Sequence, residues 1–236
     1  MPSFLKDISG FYGTGEKNAQ GESLEEFLEK YDPYKYKTPS CTTDAVIFTH
    51  EGELTKSLEN MKLLLVKRSN HPSIGFWALP GGFINLEENL DDTARRELEE
   101  ETHVKGITME QIAAYGDYNR DPRARVITVA YMALVDEKCV NVQAGDDAAD
   151  AAWCKIRLTS EEPYGFEDTT GKWKVQKHSL HVSNESRALE TTVVVEHRWK
   201  EGIILEEKYS VTDRGEIAVD HGAIVVQALE ILRSRL

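Results

Sequence analysis

One stretch restricts this chain more than any other: GGFINLEENLDDTARRELEEETHV, from Gly81 to Val104. It opens on two glycines and becomes helical from about Asn89 to Thr102. Leu90, Ala94 and Leu98 recur every four residues and form an apolar stripe, so one side of this helix is predicted to be buried. Glu97, Glu100 and Glu101 stand at i, i+3 and i+4 and share a neighbouring face. Carboxylates gathered this way repel one another by roughly a few tenths of a kcal/mol per i,i+4 pair. Hard divalent cations among the oxygens relieve that repulsion, and magnesium typically takes a few carboxylates together with substrate phosphates. Taken alone, an acidic run is more simply a solvated helix face. The spacing of the whole stretch decides between the two.

That spacing resembles the signature of the Nudix hydrolases: a glycine, five residues, a glutamate, seven residues, Arg-Glu, an apolar residue, any residue, Glu-Glu, any residue, a glycine and an apolar residue. The chain supplies Gly82, Glu88, Arg96, Glu97, Leu98, Glu100, Glu101 and Val104 at the defined positions. It departs at one, where His103 replaces the last glycine. A frame begun at Gly81 fails, because Arg96 falls where the glutamate is required. The replaced glycine closes the helix near a left-handed conformation, which histidine tolerates better than most residues. A shifted loop is therefore expected at His103, with no carboxylate lost.

The resemblance implies metal ligation by Glu97, Glu100 and Glu101, with the Gly81 carbonyl as a further ligand, and Mg2+ or Mn2+ as the cofactor. It implies that Arg96 and Glu88 pair to orient loop and helix. Bound metals would bridge a diphosphate and lower the pKa of an attacking water. The base stays open: Glu100 is the first choice, with Glu161, Glu162 and Glu167 as loop alternatives.

The 236 residues carry a formal net charge of −13. That balance argues against a nucleic-acid partner, which calls for a basic face, and against an anionic membrane surface. A phosphorylated small molecule remains compatible with local arginines or metal ions. Three cysteines, Cys41, Cys139 and Cys154, are too few and too spread for a disulfide framework or a zinc pattern. The first residues lack the apolar core of a signal peptide, and no run approaches the length of a membrane span. A cytoplasmic protein is expected.

Along the chain, residues 1–22 read as an arm. A short amphipathic helix follows from Glu22 to Tyr31, with Ser23 as its N-cap. Strands are predicted at Thr42–Thr49, Lys62–Lys67, Met109–Asp117, Ile127–Val135 and Ala152–Leu158. Residues 160–175 read as polar loop. Strands follow at His178–Val182, Thr191–Trp199 and Ile203–Val211, the last two flanking Lys200-Glu201-Gly202 as a hairpin. Asp220 to Leu236 has the spacing of a helix packed on the core, with Asp220 as its N-cap. Strands dominate and helices are interspersed without strict alternation, which favours α+β. With the resemblance, the expectation is a Nudix fold: a mixed β-sheet sandwiched between helices, with a β-rich insertion before the last helix. The expected layout is an arm at 1–22, a Nudix hydrolase domain at 23–158, the insertion at 159–214, and a helix at 215–236 that completes the domain.

The flanks SCTTDAVIF, KLLLVKRSNHPSIGFWALPGGFI, DYNRDPRARVITVAY, AGDDAADAAW and IAVDHGAIVVQALEILR are similar to the bacterial ADP-ribose pyrophosphatase branch, which shares its Nudix domain with transcriptional regulators of NAD metabolism. This implies hydrolysis of ADP-ribose to AMP and ribose 5-phosphate. Alternatives are another nucleotide substrate or ADP-ribose sensing without turnover. Arg120, Arg123 and Arg125 either fork onto phosphate oxygens or shape a surface turn with Asp121 and Pro122. Tyr118 and Phe76 are candidates to stack on a base, whereas Trp77 reads as core. Asp146, Asp147 and Asp150 read as structural. The run Val193–Trp199 is expected to form a dimer interface or a lid, and a homodimer is expected by family analogy.

Overall fold

The computed structural model describes residues 4–137, 142, 148–200 and 202–236. Cys139, Asp146, Asp147 and Glu201 lie outside the described residues. The chain divides into two compact units, Met1–Pro39 and Ser40–Leu236.

In the first unit, α1 spans Leu24–Lys30 and opens on the expected Ser23. The Ser23 hydroxyl accepts from the Glu26 N–H while the Glu26 carboxylate accepts from the Ser23 N–H, a reciprocal capping box. No residue of α1 is buried.

The second unit is a mixed sheet with two long helices packed against it. Its strands in chain order are β1 (Ser40–His50), β2 (Met61–Arg68), β3 (Trp77–Ala78), β4 (Gly81–Phe83), β5 (Glu110–Tyr115), β6 (Val126–Leu134), β7 (Ala148–Ser160), β8 (Tyr164–Asp168), β9 (Gly171–Asn184), β10 (Leu189–Lys200) and β11 (Glu206–Asp213). The helices are α2 (Leu90–Thr102) and α3 (His221–Ser234). Spatial order along the sheet is β11-β10-β9-β7-β2-β1-β6-β5, with β3 on β2, β4 on β1 and β8 on β9. Only β1 and β6 pair in parallel among the named strands, Ser40 opposite Val126 through Phe48 opposite Leu134. β1 lies inside the sheet, and Thr42 to Thr49 are all buried, which explains its near-continuous apolar and β-branched content.

The strands beyond residue 160 extend this same sheet, because β9 pairs antiparallel with β7 from Lys155 opposite Ser183 to Ser160 opposite His178. One expectation is corrected here. Residues 160–175, read as loop, contain β8 and the start of β9; their polar residues belong to exposed faces of a β8–β9 hairpin. In the run Val193–Trp199, Val193 and Val195 are fully buried in the core with Ile224 and Leu229 of α3. Val194 and Glu196, which follow each of these in turn, are only partly exposed, the alternation of a strand covered on one side.

α3 is buried from His221 through Leu229. Asp220 stands at its N-cap position, yet its side chain makes no capping hydrogen bond, because both oxygens are engaged by Arg120. α2 buries Thr93, Ala94, Leu98 and Thr102, in line with its predicted stripe. It ends at His103 in the left-handed region, φ 61° and ψ 11°, with the His103 N–H on the Glu99 carbonyl. Among the described residues no helix is long and apolar enough to cross a membrane.

Candidate active site

The site begins with a turn, Leu79-Pro80-Gly81-Gly82, which leads from β3 into β4. β4 pairs with β1 so that Gly81 opposes Asp44 and Gly82 opposes Thr43. A methyl group at Gly81 would collide with the Thr43 carbonyl, and one at Gly82 with the Glu97 carboxylate. Gly81 is therefore required by close approach to the β1 backbone, whereas a side chain at Gly82 would displace the helix carboxylate that lies on it.

α2 crosses this turn. The Glu101 carboxylate accepts from the Gly81 N–H at 2.9 Å. Arg96 is gripped in a bidentate pair by Glu88, Nε at 2.9 Å and Nη2 at 3.0 Å, and Nη2 also donates to the Phe83 carbonyl. The Glu88–Arg96 pair is thus formed as expected. It holds the loop before α2 to the helix, and the Arg96 guanidinium beside Glu88 pulls that carboxyl down to about 2. Nη1 of Arg96 lies between Glu97, at 2.7 Å, and Glu100, at 2.9 Å.

The carboxylates facing inward are short of positive charge. Burial pushes Glu101 up to about 7 against the pull of the Gly81 N–H, with Glu97 and Asp44 adding to the rise. Burial also raises Glu97, opposed by Arg96. Two raised carboxylates in one cleft are what desolvation and like charge produce together. Among the described residues no three acidic, histidine or cysteine side chains converge on one point as they stand. In kind, however, Glu97, Glu100, Glu101 and the Gly81 carbonyl are an all-oxygen donor set that suits a hard divalent cation, and its charge deficit is of the right sign.

These groups line a cavity of about 490 Å³. Glu97, Glu100 and Glu101 form one side; Arg68, Arg120 and Arg123 contribute cationic groups to the same cavity. Arg120 is nearly buried, paired with Asp220 at 2.8 Å through two nitrogens and 3.6 Å from Asp44. Arg123 is half-exposed, held by Asp121 at 2.8 Å and stacked over Phe83 at 5.4 Å. Arg125 is turned elsewhere: it donates to the carbonyls of Gly116 and Asp117 and lines no cavity described here. Tyr118 is 82% exposed and likewise lines neither cavity. Glu161, Glu162 and Glu167 are exposed and away from the cavity wall. Asp150 is paired with Arg187.

A second cavity, about 880 Å³, adjoins the first and shares Pro72, Arg120 and Val219 with it. Phe76, Tyr115, Tyr209 and Gln227 supply ring and amide surface there, and Arg214 lies over the Phe76 ring at 5.2 Å. Trp77 is core, 2% exposed.

Sequence reasoning missed Asp44, Arg68 and His221. Asp44 had a signal, an acid inside the otherwise apolar strand TTDAVIF, where an ionisable group is seldom placed without a task. Arg68 and His221 carried none stronger than a charged strand end and a helix start.

A family model described as the NUDIX domain matches residues 27–171. The chain belongs to the Nudix family. Over 124 residues it is 40% identical to an ADPR responsive transcriptional repressor, NtrR, of Acinetobacter baylyi, a match covering 51% of this chain and 47% of the repressor. It is 33% identical over 124 residues to an ADP-ribose pyrophosphatase of Methanocaldococcus jannaschii, covering 52% of this chain and 65% of the relative. The chain thus spans 47% to 65% of the length of these two curated relatives. Among solved structures, the NUDIX domain of Shewanella oneidensis NrtR in complex with ADP ribose superposes with a TM-score of 0.58 at 28% identity, covering 89% of this chain and 99% of that one. These neighbours share the Nudix fold with this chain, a mixed sheet with helices packed on it.

Proposed function

We propose that this protein hydrolyses the diphosphate of a nucleoside-diphosphate derivative, with ADP-ribose as the first substrate and AMP and ribose 5-phosphate as products. One observation carries the reading: the three carboxylates of the Nudix signature (the box), Glu97, Glu100 and Glu101, share a cavity with the Gly81-Gly82 turn and with Arg68, Arg120 and Arg123. Carboxylates alone would suit a cation; carboxylates together with arginines suit a cation and a phosphate chain. The pyrophosphatase relative supports the choice of substrate.

In this scheme Glu97, Glu100, Glu101 and the Gly81 carbonyl hold Mg2+ or Mn2+. Once bound, such a cation neutralises charge building on the diphosphate and acidifies a water for attack on phosphorus. Arg123, exposed and held by Asp121, forks onto phosphate oxygens. Arg120 is fixed at the wall shared by the two cavities and marks where the diphosphate passes between them. Arg96 keeps Glu97 and Glu100 in place through its grip on Glu88. Glu100, the most exposed of the three, accepts the proton of the attacking water. The adjoining cavity takes the nucleoside end, with Phe76 under Arg214 as a flat surface for the base.

A second reading is favoured by the repressor relative: ADP-ribose binding as a signal, without turnover. A panel of ADP-ribose, NADH, diadenosine polyphosphates, nucleotide sugars and nucleoside triphosphates, with Mg2+ or Mn2+, separates the two. AMP and ribose 5-phosphate from ADP-ribose, abolished by EDTA and restored by added metal, is the expected result. Tight ADP-ribose binding with no product from any compound would replace hydrolysis by sensing. We also propose a homodimer, by analogy within the family, which analytical ultracentrifugation of the same preparation tests.

A further inference from the structure

The Leu79-Pro80-Gly81 turn hangs from three different elements, one per residue. The Pro80 carbonyl accepts from the Ala45 N–H of β1 at 2.8 Å. The Gly81 N–H donates to Glu101 of α2 at 2.9 Å. The Leu79 N–H donates to Nδ1 of His221, the first residue of α3, at 2.8 Å. Ala45 and Glu101 lie inside the residues matched by the family model; His221 lies far outside them.

The third bond continues an interrupted ladder. Trp77 and Ile217 form a parallel bridge, with the Trp77 N–H on the Glu216 carbonyl at 2.9 Å and the Ala218 N–H on the Trp77 carbonyl at 2.8 Å. In a parallel ladder the next donor, the Leu79 N–H, would meet the Ala218 carbonyl. It does not, because Val219 takes a left-handed φ of 47° and swings the chain into α3, where the Ala218 carbonyl accepts from the His221 N–H instead. A β-branched residue seldom adopts that conformation. His221 then returns its own side chain to Leu79, and a ring nitrogen replaces the missing carbonyl. Since Nδ1 accepts, the ring hydrogen sits on Nε2, which faces Asp44 at 3.8 Å. The ring is 7% exposed and touches the wall of the carboxylate cavity.

We propose that His221 is a positioning residue for the proposed hydrolysis: it fixes the turn that presents Gly81, and through Nε2–H it faces Asp44 on the strand opposite that glycine. The helix after the strand-rich segment thereby takes part in setting the geometry of the box. A misplacement on the order of 1 Å at such a point costs as much as ~100-fold in rate. The rate consequence rests on the hydrolysis reading above; the hydrogen-bond assignment does not.

The test uses the full chain labelled with ¹⁵N. Wild type is expected to show a bare Nδ1 and a protonated Nε2 at His221, with slow exchange of the Leu79 amide. His221→Ala should speed Leu79 exchange by at least ~10-fold while amides in β9 and β10 keep their protection. Turnover of the substrate found by the panel should fall by at least ~10-fold with KM held within about twofold. His221→Asn, whose Oδ1 can take the Nδ1 place, should restore both. A hydrogen on Nδ1 overturns the proposal, as does Leu79 exchange unchanged in His221→Ala. Loss of protection throughout the sheet in His221→Ala, without rescue by His221→Asn, also overturns it and leaves His221 a core residue. If wild type turns over nothing, the tautomer and exchange results still decide the bond, and only the hydrolysis reading fails.

Discussion

The segment Leu79–His103 and the strands β8 to β11 lie in one compact unit and handle polar groups in opposite ways. In the first, charged groups converge. Glu97 and Glu101 are partly buried beside each other with their carboxyls raised, and Gly81 among them lies too close to the β1 backbone to carry a side chain. In the second, apolar groups converge by simple alternation: Leu180, Val182, Val193 and Val195 pack into one core with α3. Even its buried imidazole is kept neutral, with His178 1% exposed and its Nδ1 against the Ser160 hydroxyl. The first region spends stability to hold a charge imbalance, as active sites do, and the second supplies the packing that lets it stand.

Each region should therefore fail in its own way under substitution. The largest effect is expected at Glu101→Gln: turnover at least ~100-fold lower, with the circular dichroism spectrum and melting temperature retained. A variant with full activity would remove the box from the chemistry. Leu180→Ala reverses the pattern, with stability lower by ~2–5 kcal/mol in urea titration and a smaller change in turnover for the folded fraction. Arg123→Ala should raise KM for ADP-ribose about tenfold with little change in kcat, because it removes binding shared by ground and transition states. Wild-type kinetics would return Arg123 to its role in the Asp121 turn.

The smallest effects are in pH. Burial holds His178 at about 4, below its ordinary 6.5. The folded state thus refuses a proton that the unfolded chain accepts below pH 6.5. Its contribution is complete above that value and is lost as pH falls through about 4. The urea midpoint should climb across this window, and His178→Gln should flatten the climb; an unchanged slope would assign it elsewhere. Glu88, held at about 2 by Arg96 from an ordinary 4.5, acts later: its contribution is present above 4.5 and fades only as pH drops toward 2. Glu88→Gln should flatten that more acidic part of the curve alone.

The box carboxylates were legible because they sit on one helix, where three or four residues along the chain means neighbours in space. The left-handed His103 was legible for the same local reason. β1 and β2 announced themselves by β-branched and leucine-rich runs. β8 and the first half of β9 did not, because Tyr164 to Asp168 pairs as an outlying hairpin arm with mostly exposed side chains, and such a strand has no apolar alternation to read. The cavity's other walls were hidden by distance. Asp44, Arg68 and His221 meet only through the pairing of β1 with β4, the bend after β2 and the return of the chain along Trp77. Arg120 was foreseen as a phosphate ligand or a turn residue. Its pairing with Asp220, 100 positions away, fits neither description fully.

The hydrogen bond from Leu79 to His221 also has a meaning in the order of synthesis. Gly81 and Glu101 leave the ribosome 140 and 120 positions before His221 does, as the numbering sets. Through that interval the turn has two of its anchors and lacks the third. A domain made from its N-terminus onward can pack β1, β4 and α2 early. The glycine turn gains its full set of bonds only after β9, β10 and β11 have emerged and α3 has docked. A growing chain carries the carboxylate pattern long before it carries the finished cleft.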